Sequence, residues 1–398
     1  MKEFIKRDIE KAILENLKLY PSLTIQGPRQ CGKTTLLKEL FPNYSYVDLD
    51  DYNARNLAEV DPYEFFKRYP EPVIIDEVQR VPSILSTVKA RIDLSDKKGM
   101  YILSGSSQVK LLTSVSESLA GRTGILTMYP LSMKELKATG IVLDRDTQLI
   151  SGFMPYLFIN DGVSPYDYCS NYISTYVERD VVSESIVKDK KRFEVFLRAL
   201  AGRVGQLVDY SGLSNDVGVS STTIKHWISI LEASYIIYIL QPWQKNRISR
   251  AVKTPKIYFV DTGLLAALLG ITTPNQMLRD PLRGNIFENL AIMEAVKSRT
   301  SRGENLPFYF FRNSRGEEID FIIERNEGLS LYEIKSAEVS TSSFFDVMKS
   351  FQSKTDMRIL SKNLIYAGET GEINGVNLIN FHDIANYTPK EEKFILRI

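Results

Sequence analysis

Eight consecutive residues near the start of the chain are of the types needed to hold a polyphosphate. They are Gly27, Pro28, Arg29, Gln30, Cys31, Gly32, Lys33 and Thr34, with Thr35 next, and they lie between an apolar run and a helical pattern. Glycines let successive N–H groups point at one anion, and the helix adds the positive end of its dipole. Lys33 would neutralise the phosphates, and the Thr34 hydroxyl would bind magnesium. The pattern predicts a nucleoside triphosphate site, which its context favours over a simple helix-capping turn.

Two carboxylates follow a second apolar run. Val73-Ile74-Ile75 precedes Asp76 and Glu77. Next to a bound triphosphate, Asp76 can hold the hydrated magnesium and Glu77 can orient an attacking water. Solvated charges at a strand end are the alternative, but the upstream glycine motif favours hydrolysis.

A third strand end carries hydroxyls that are candidates for sensing the terminal phosphate. Ser104 and Ser106 follow the apolar residues Ile102 and Leu103. Serine and glycine at such positions also serve as ordinary turn residues.

The first third of the chain, residues 1–130, alternates β-branched runs with amphipathic stretches, which is typical of a parallel sheet covered by helices. The predicted strands are Leu23–Gln26, Tyr44–Leu49, Pro72–Ile75, Met100–Ser104 and Ile125–Tyr129. The predicted helices are Thr34–Leu40, Pro62–Arg68, Ile84–Ile92 and Val109–Leu119. We therefore predict an α/β fold of the P-loop NTPase class, with helices on both faces of the sheet.

The motifs GPRQCGKTT and IIDEVQR resemble those of AAA+ ATPases, specifically bacterial and archaeal predicted ATPases with GPRQ-x-GKTT and DEVQ motifs. The resemblance implies ATP as the nucleotide. It also implies that the Ser104 strand lies between the strands of the other two motifs, so that Ser104 or Ser106 is near the γ-phosphate. By the same analogy, Arg122 is an arginine finger or sensor, in cis or supplied by a neighbouring subunit of a homo-oligomer. A structural ion pair is the alternative role for Arg122.

The middle of the chain is predicted to be helical. Residues 131–191 form a tyrosine-rich connecting region, and residues 192–270 are predicted as three helices and a hairpin, which suggests a winged helix. Its last helix, Ser221–Ala233, would expose Thr222, Lys225 and His226, and the wing would add Lys245, Arg247 and Arg250. These residues are candidates for a DNA-binding surface, and a packing or protein-partner surface is the alternative.

The last part, residues 271–398, is predicted as a separate α/β unit with charged residues flanked by apolar ones. Glu288 lies in a predicted amphipathic helix, Asp320 in one strand, and Glu333 and Lys335 on the same face of the next strand. Carboxylates grouped in this way can hold Mg²⁺ or Mn²⁺. The arrangement is similar to the PD-(D/E)xK nuclease superfamily, although Ile319 stands where a proline usually precedes the aspartate. The resemblance implies a nuclease-like fold with a second metal site.

The composition excludes several classes of protein. Fifty basic residues balance forty-nine acidic ones among 398, so no overall positive charge attracts nucleic acid. Two cysteines and two histidines are too few for a disulfide framework, a zinc site or a histidine-based triad. No membrane span or signal peptide is evident in the sequence, and we expect a cytoplasmic protein.

Two functions fit these predictions. The first is an ATP-driven machine that handles DNA and cuts it. The second is a signalling or scaffold ATPase that binds protein partners and whose nuclease-like domain is catalytically silent. A P-loop kinase is less favoured, because Asp76 and Glu77 suit water activation better than transfer to an acceptor.

Overall fold

The computed structural model describes residues 4–106, 115, 117–175, 189–243 and 253–391. Most of the predicted helix Val109–Leu119 lies outside these residues, and so do the three predicted wing cations, Lys245, Arg247 and Arg250.

The first sheet contains five parallel strands in the order β2-β3-β4-β1-β5. They are β1 (Ser22–Gln26), β2 (Ser45–Asp48), β3 (Val73–Asp76), β4 (Tyr101–Gly105) and β5 (Thr123–Thr127). Each lies within two residues of a predicted strand. Strand β4 lies between β3 and β1, as the family resemblance implies, so the ends of the three motif strands are neighbours.

Helices cover both faces of this sheet. On one side are α1 (Glu10–Leu19) and α2 (Lys33–Leu40), and on the other are α3 (Tyr52–Val60), α4 (Pro62–Arg68) and α5 (Ile84–Asp93). Strand side chains alternate between faces, so Ile74 packs in the α1/α2 core and Ile75 in the opposite core. The predicted P-loop NTPase fold is confirmed, although the sequence reasoning missed α1 and α3.

The next part of the chain is helical, as predicted. Its helices are α6 (Met133–Ala138), α7 (Arg145–Ser151), α8 (Pro155–Ile159), α9 (Pro165–Tyr172), α10 (Lys190–Ala201), α11 (Tyr210–Val217), α12 (Ser221–Ala233), α13 (Thr262–Leu269), α14 (Pro274–Arg279) and α15 (Arg283–Thr300). Helix α12 has its predicted bounds, and it begins at Ser221 because the Ser220 hydroxyl accepts a hydrogen bond from the Thr223 N–H at 3.1 Å. Among the described residues, no helix combines the length and apolar character needed to cross a bilayer.

The second sheet has eight strands in the order β12-β13-β11-β10-β9-β8-β6-β7. They are β6 (Ile237–Pro242), β7 (Lys256–Phe259), β8 (Phe308–Arg312), β9 (Glu318–Arg325), β10 (Gly328–Ile334), β11 (Ile359–Tyr366), β12 (Gly371–Ile373) and β13 (Val376–Asn380), and α16 (Asp346–Lys354) and α17 (Ile384–Tyr387) complete the described part of the chain.

The last two predicted parts of the chain, divided at residue 270, contribute strands to the same sheet. The predicted hairpin forms, as β6 and β7, but β6 also pairs in parallel with β8. This pairing satisfies backbone groups that a free sheet edge would leave open. The described residues before and after residue 270 therefore share one sheet and one hydrophobic core. The winged-helix assignment and the four-part division stay predictions.

Helix α15 lies in the middle of this shared core. It was predicted as amphipathic, but almost every residue from Ile286 to Arg299 is buried. A helix that is covered on all sides can present its polar side chains only to partners inside the protein.

A candidate nucleotide site and a cluster of buried charges

The phosphate loop has a backbone that requires glycine at two positions. Gly27 has φ 150°, and a Cβ there would lie 1.9 Å from the Met128 carbonyl oxygen. Gly32, immediately before α2, has φ 96° in the left-handed region. The loop therefore packs against Met128, the residue after β5, and leads directly into the first turn of α2.

Lys33 is the first residue of α2 and is buried within the loop. Its ammonium group donates hydrogen bonds to the carbonyl oxygens of Gly27, at 2.8 Å, and Pro28, at 2.9 Å. These contacts hold the charge over the loop, where the phosphates of a nucleotide would be neutralised.

Asp76 connects the phosphate loop with the strand ends beside it. One of its carboxylate oxygens accepts hydrogen bonds from the hydroxyls of Thr34, at 2.5 Å, and Tyr46, at 3.2 Å, and the other accepts from Ser104 at 2.6 Å. The structure thus brings together the two predicted magnesium ligands, Thr34 and Asp76, which lie 42 residues apart in the chain. Their oxygens and the chemistry of this donor set fit a hydrated Mg²⁺ ion.

Tyr46 was not predicted to belong to the site. Burial, followed by the charges of Asp76 and Asp48, raises the pKa of its hydroxyl well above the ordinary value. The hydroxyl therefore keeps its proton and serves as a donor to Asp76.

Glu77 lies beside this group in an uncommon backbone conformation. It has φ 51° and ψ 41°, a left-handed conformation that costs a non-glycine residue about 1–3 kcal/mol. Its carboxylate accepts hydrogen bonds from Gln79 and, at 3.1 Å, from the Ser106 hydroxyl. The turn places Glu77 on the wall of the same cavity as Lys33 and Thr34, where it can meet a water next to a bound phosphate.

Arg7, another residue that the sequence reasoning missed, supports the phosphate loop from behind. Its buried guanidinium donates to the carbonyl oxygens of Cys31, at 2.8 Å, and Tyr129, at 2.7 Å, and to the Glu135 carboxylate at 3.1 Å. In a trans peptide the C=O and N–H groups point in opposite directions. By holding the Cys31 carbonyl, Arg7 therefore also orients the N–H of Gly32 away from itself.

The tyrosine-rich region forms the outer wall of the site. A cavity of about 780 Å³ separates the phosphate loop from α8 and α9. The rings of Tyr156 and Tyr168 are stacked there, 5.4 Å apart, and the Tyr168 hydroxyl donates to the Gln30 side chain at 2.5 Å. Arg29 and Thr35 also line this cavity. Contacts from the second predicted part of the chain thus complete the site of the first.

Arg122 lies at the amino-terminal end of the strands, whereas the phosphate loop lies at their carboxyl-terminal end. Its carbonyl accepts from the N–H of Ser22, the first residue of β1, whereas the phosphate loop follows the last residue of that strand, about 13 Å away. Its guanidinium pairs with Asp93, at 2.6 and 3.2 Å. A role for Arg122 in cis at its own phosphate loop, which begins at the other end of β1, stays a prediction. A role at a neighbouring subunit also stays a prediction.

The predicted exposed face of α12 is present. Thr222, Lys225 and His226 are exposed, while Ile224 and Trp227 are buried beneath them. The ammonium of Lys225 lies 5.3 Å from the ring centre of Tyr210. This surface carries little positive charge in its described part.

The predicted nuclease-like residues come together around β9, β10 and α15. The ammonium of Lys335 lies 3.1 Å from Asp320 and 2.6 Å from Glu333, and Asp320 also accepts from the Ile334 N–H at 2.8 Å. Burial and the nearby Asp320 charge raise the pKa of Glu333 to about 8. Glu288 reaches the same area from α15, where burial, opposed by the charge of Lys256 and reinforced by that of Asp320, raises the pKa of its carboxyl group.

The arrangement of the described side chains does not support the predicted second metal site. A second lysine, Lys256, places its ammonium 2.9 Å from Glu288 and 2.5 Å from Glu318. In the described part of the chain, no three aspartate, glutamate, histidine or cysteine side chains are arranged to hold a metal ion. The acidic residues predicted to bind Mg²⁺ or Mn²⁺ are paired with lysines instead. The spacing of residues in the sequence did not predict the pairing with Lys256.

Comparison with protein families divides the chain into three matches. Residues 20–137 match an AAA domain, residues 143–275 match a domain of unknown function (DUF8612), and residues 283–383 match another domain of unknown function (DUF4143).

Among curated proteins, the chain is 27% identical over 367 residues to an uncharacterized protein of Mycobacterium tuberculosis, a match that covers 92% of this chain and 80% of that protein. It is 23% identical over 306 residues to an uncharacterized protein of Haemophilus influenzae, with 69% of this chain and 74% of that protein covered.

Among solved structures, the chain is similar to the Walker-type ATPase of Pyrococcus abyssi, with 15% identity, a TM-score of 0.45, and coverage of 67% of this chain and 96% of that one. It is also similar to AMPPCP-bound DnaA from Aquifex aeolicus, with 14% identity, a TM-score of 0.27, and coverage of 56% and 85%. The AAA match spans the phosphate loop, Asp76 and Glu77 described above, so residues 20–137 resemble an AAA domain and have the fold of a P-loop NTPase.

Proposed function

We propose that this protein is a magnesium-dependent ATPase that acts as a switch, and that its C-terminal part binds protein partners without cutting nucleic acid. The observation that carries the proposal is the meeting of the Thr34 and Ser104 hydroxyls at the Asp76 carboxylate, at 2.5 and 2.6 Å, beside the buried ammonium of Lys33. Lys33, Thr34 and Glu77 line one cavity, and the Thr34 hydroxyl donates a hydrogen bond to Asp76.

Each residue has a specific task in hydrolysis. The ammonium of Lys33 exchanges the carbonyls of Gly27 and Pro28 for phosphate oxygens when ATP binds. Thr34 and Asp76 would hold a magnesium ion, which would supply positive charge to the β- and γ-phosphates. Glu77 accepts a hydrogen bond from the attacking water and orients it. Ser104, buried beside Asp76, fixes the direction of that carboxylate.

The switch role is supported by the contacts between the cavity and the rest of the chain. Tyr168 of α9 touches the phosphate loop through Gln30. Helix α9 in turn packs against α13, which belongs to the shared core of the C-terminal half. A nucleotide that enters between the loop and α9 would therefore bias the position of that half.

The lysine-paired carboxylates favour this role over the DNA-cutting machine. Lys256, which lies outside the predicted nuclease-like residues, places its ammonium 2.9 Å from Glu288, one of the carboxylates that a metal-dependent nuclease would need for its metal ion. The near-zero net charge also disfavours a nucleic-acid partner.

Two substitutions test the ATPase. We expect Lys33→Ala to lose ATP binding, because the phosphates lose their buried cation, and Glu77→Gln to keep binding while turnover falls at least a hundredfold. Calorimetry with ATP·Mg²⁺ and a phosphate-release assay measure the two effects. Gln79→Ala, which removes a neighbour of the carboxylate but not the carboxylate, is the control. Unchanged turnover in Glu77→Gln would remove the water-orienting role.

A second experiment separates the two functions. Full-length protein is incubated with supercoiled plasmid and Mg²⁺ or Mn²⁺, with Asp320→Ala as the matched variant. We expect no nicking by either protein and no stimulation of ATP turnover by DNA. Nicking that Asp320→Ala abolishes would overturn the switch proposal in favour of the DNA-cutting machine.

A further inference from the structure

The cluster of four carboxylates, formed by Glu288, Glu318, Asp320 and Glu333, receives a lysine from outside the predicted nuclease-like unit. Lys256 is the first residue of β7 in the hairpin, and only 2% of its side chain is exposed. Its ammonium lies between α15 and β9, 2.9 Å from Glu288 and 2.5 Å from Glu318. The hairpin thus contributes a buried cation to a group of acids that are distant in the sequence.

A second contact from β7 fixes this arrangement. Tyr258 is two residues after Lys256, so its side chain lies on the same face of the strand. Its hydroxyl donates to Glu288 at 2.6 Å. Both side chains therefore reach the same carboxylate, and Glu288 is held on its α15 turn by two donors.

Two lysines are shared among the four carboxylates of the cluster. Lys256 serves Glu288 and Glu318, and Lys335 serves Asp320 and Glu333. Each of the four carboxylates has an ammonium group within 3.1 Å. Buried charges persist only when they are paired in this way.

The ammonium of Lys256 stays protonated despite its burial. Burial alone would lower its pKa, but the charges of Glu288, Glu318 and Asp320 outweigh burial and raise the pKa above the ordinary value. A divalent ion in the same place would need the carboxylate oxygens that now accept from Lys256, and it would be repelled by that fixed positive charge.

We propose that Lys256 is the resident cation of this cluster and takes the place of a divalent metal. The cluster ties the β6–β7 hairpin to α15 and β9, and its acids bind no Mg²⁺ or Mn²⁺ while Lys256 is present. This inference does not depend on the proposed ATP hydrolysis, because the nucleotide site lies at the first sheet and the cluster lies at the second.

Mn²⁺ titration followed by electron paramagnetic resonance tests the proposal on nucleotide-free, full-length protein. The wild type and Asp320→Asn should bind Mn²⁺ equally weakly. Lys256→Met, which keeps the length of the side chain but removes its charge, should gain one Mn²⁺ site per chain with at least tenfold tighter binding. The gain should vanish in Lys256→Met/Asp320→Asn, and Lys256→Arg, which retains the charge, should gain no site.

Two results would overturn the proposal. One is a wild-type Mn²⁺ site that Asp320→Asn removes, since it would show that the metal binds beside Lys256. The other is a folded Lys256→Met protein, verified by circular dichroism, that gains no site. If Lys256→Met does not fold, Lys256→Met/Glu318→Gln removes one opposing charge and is judged by the same gain or its absence. The comparison of the wild type with Asp320→Asn tests the proposal without any variant of Lys256.

Discussion

Arg7 offers the most direct test of how the phosphate loop is held in place. We consider Arg7→Met, which keeps an unbranched side chain in the buried space but removes the guanidinium. Three hydrogen bonds disappear, to the carbonyls of Cys31 and Tyr129 and to the Glu135 carboxylate. The change affects both the stability of the domain and the orientation of the loop.

The magnitude follows from what each partner keeps. Breaking a buried ion pair costs about 3–5 kcal/mol, because the remaining charge loses its partner. Glu135 still accepts from the N–H groups of Asp8, at 2.7 Å, and Ser132, at 2.8 Å. We therefore expect the lower end, a loss of about 3 kcal/mol in the free energy of unfolding. Loss of the fixed Gly32 N–H removes one hydrogen bond to phosphate, about 1.5 kcal/mol, which corresponds to roughly a tenfold weaker ATP affinity.

Urea denaturation and ATP calorimetry measure the two effects. The matched control is Lys6→Met, which removes one positive charge from an exposed neighbour and should change neither quantity. An Arg7→Met protein with the wild-type denaturation midpoint and ATP affinity would refute the reasoning, because the loop would then be held without Arg7. A loss of stability with unchanged affinity would refute the orientation of Gly32 alone.

Two further predictions concern charged residues outside the phosphate loop. If Arg122 acts at a neighbouring subunit, Arg122→Ala should lower ATP turnover by about 10³-fold or more. Asp93→Ala breaks the same ion pair but should not lower turnover. In the wild type, turnover per subunit should rise with protein concentration. Equal effects of the two substitutions would assign Arg122 to a structural ion pair. Burial and then Asp320 raise the pKa of Glu333 from 4.5 to about 8, so the folded protein keeps a proton that the unfolded chain loses between these values. Stability should therefore decrease as the pH rises from about 5 to 8, and the decrease in urea midpoint should be smaller in Glu333→Gln; equal decreases would contradict this assignment.

Several local features could be predicted because they depend on short stretches of chain. The phosphate loop, the acidic strand end and the strands that carry them follow from residue types at fixed spacing, since glycine conformations and apolar periodicity act over a few residues. The start of helix α12 could be predicted because Ser220 caps it. The family resemblance supplied the strand order, which short-range patterns do not contain.

The sequence by itself therefore determined the nucleotide motif, the α/β class of the first domain and the residues from which a site could be built. The tertiary structure decided which other residues contact them. Arg7 lies behind the phosphate loop, Tyr168 lies on its rim, and Lys256 lies among the carboxylates. These contacts join residues 24, 138 and 32 positions apart. No local pattern predicts such pairs, because they depend on how whole helices and strands pack together. A charged side chain can be buried only with a partner, and here the partner comes from a distant part of the chain.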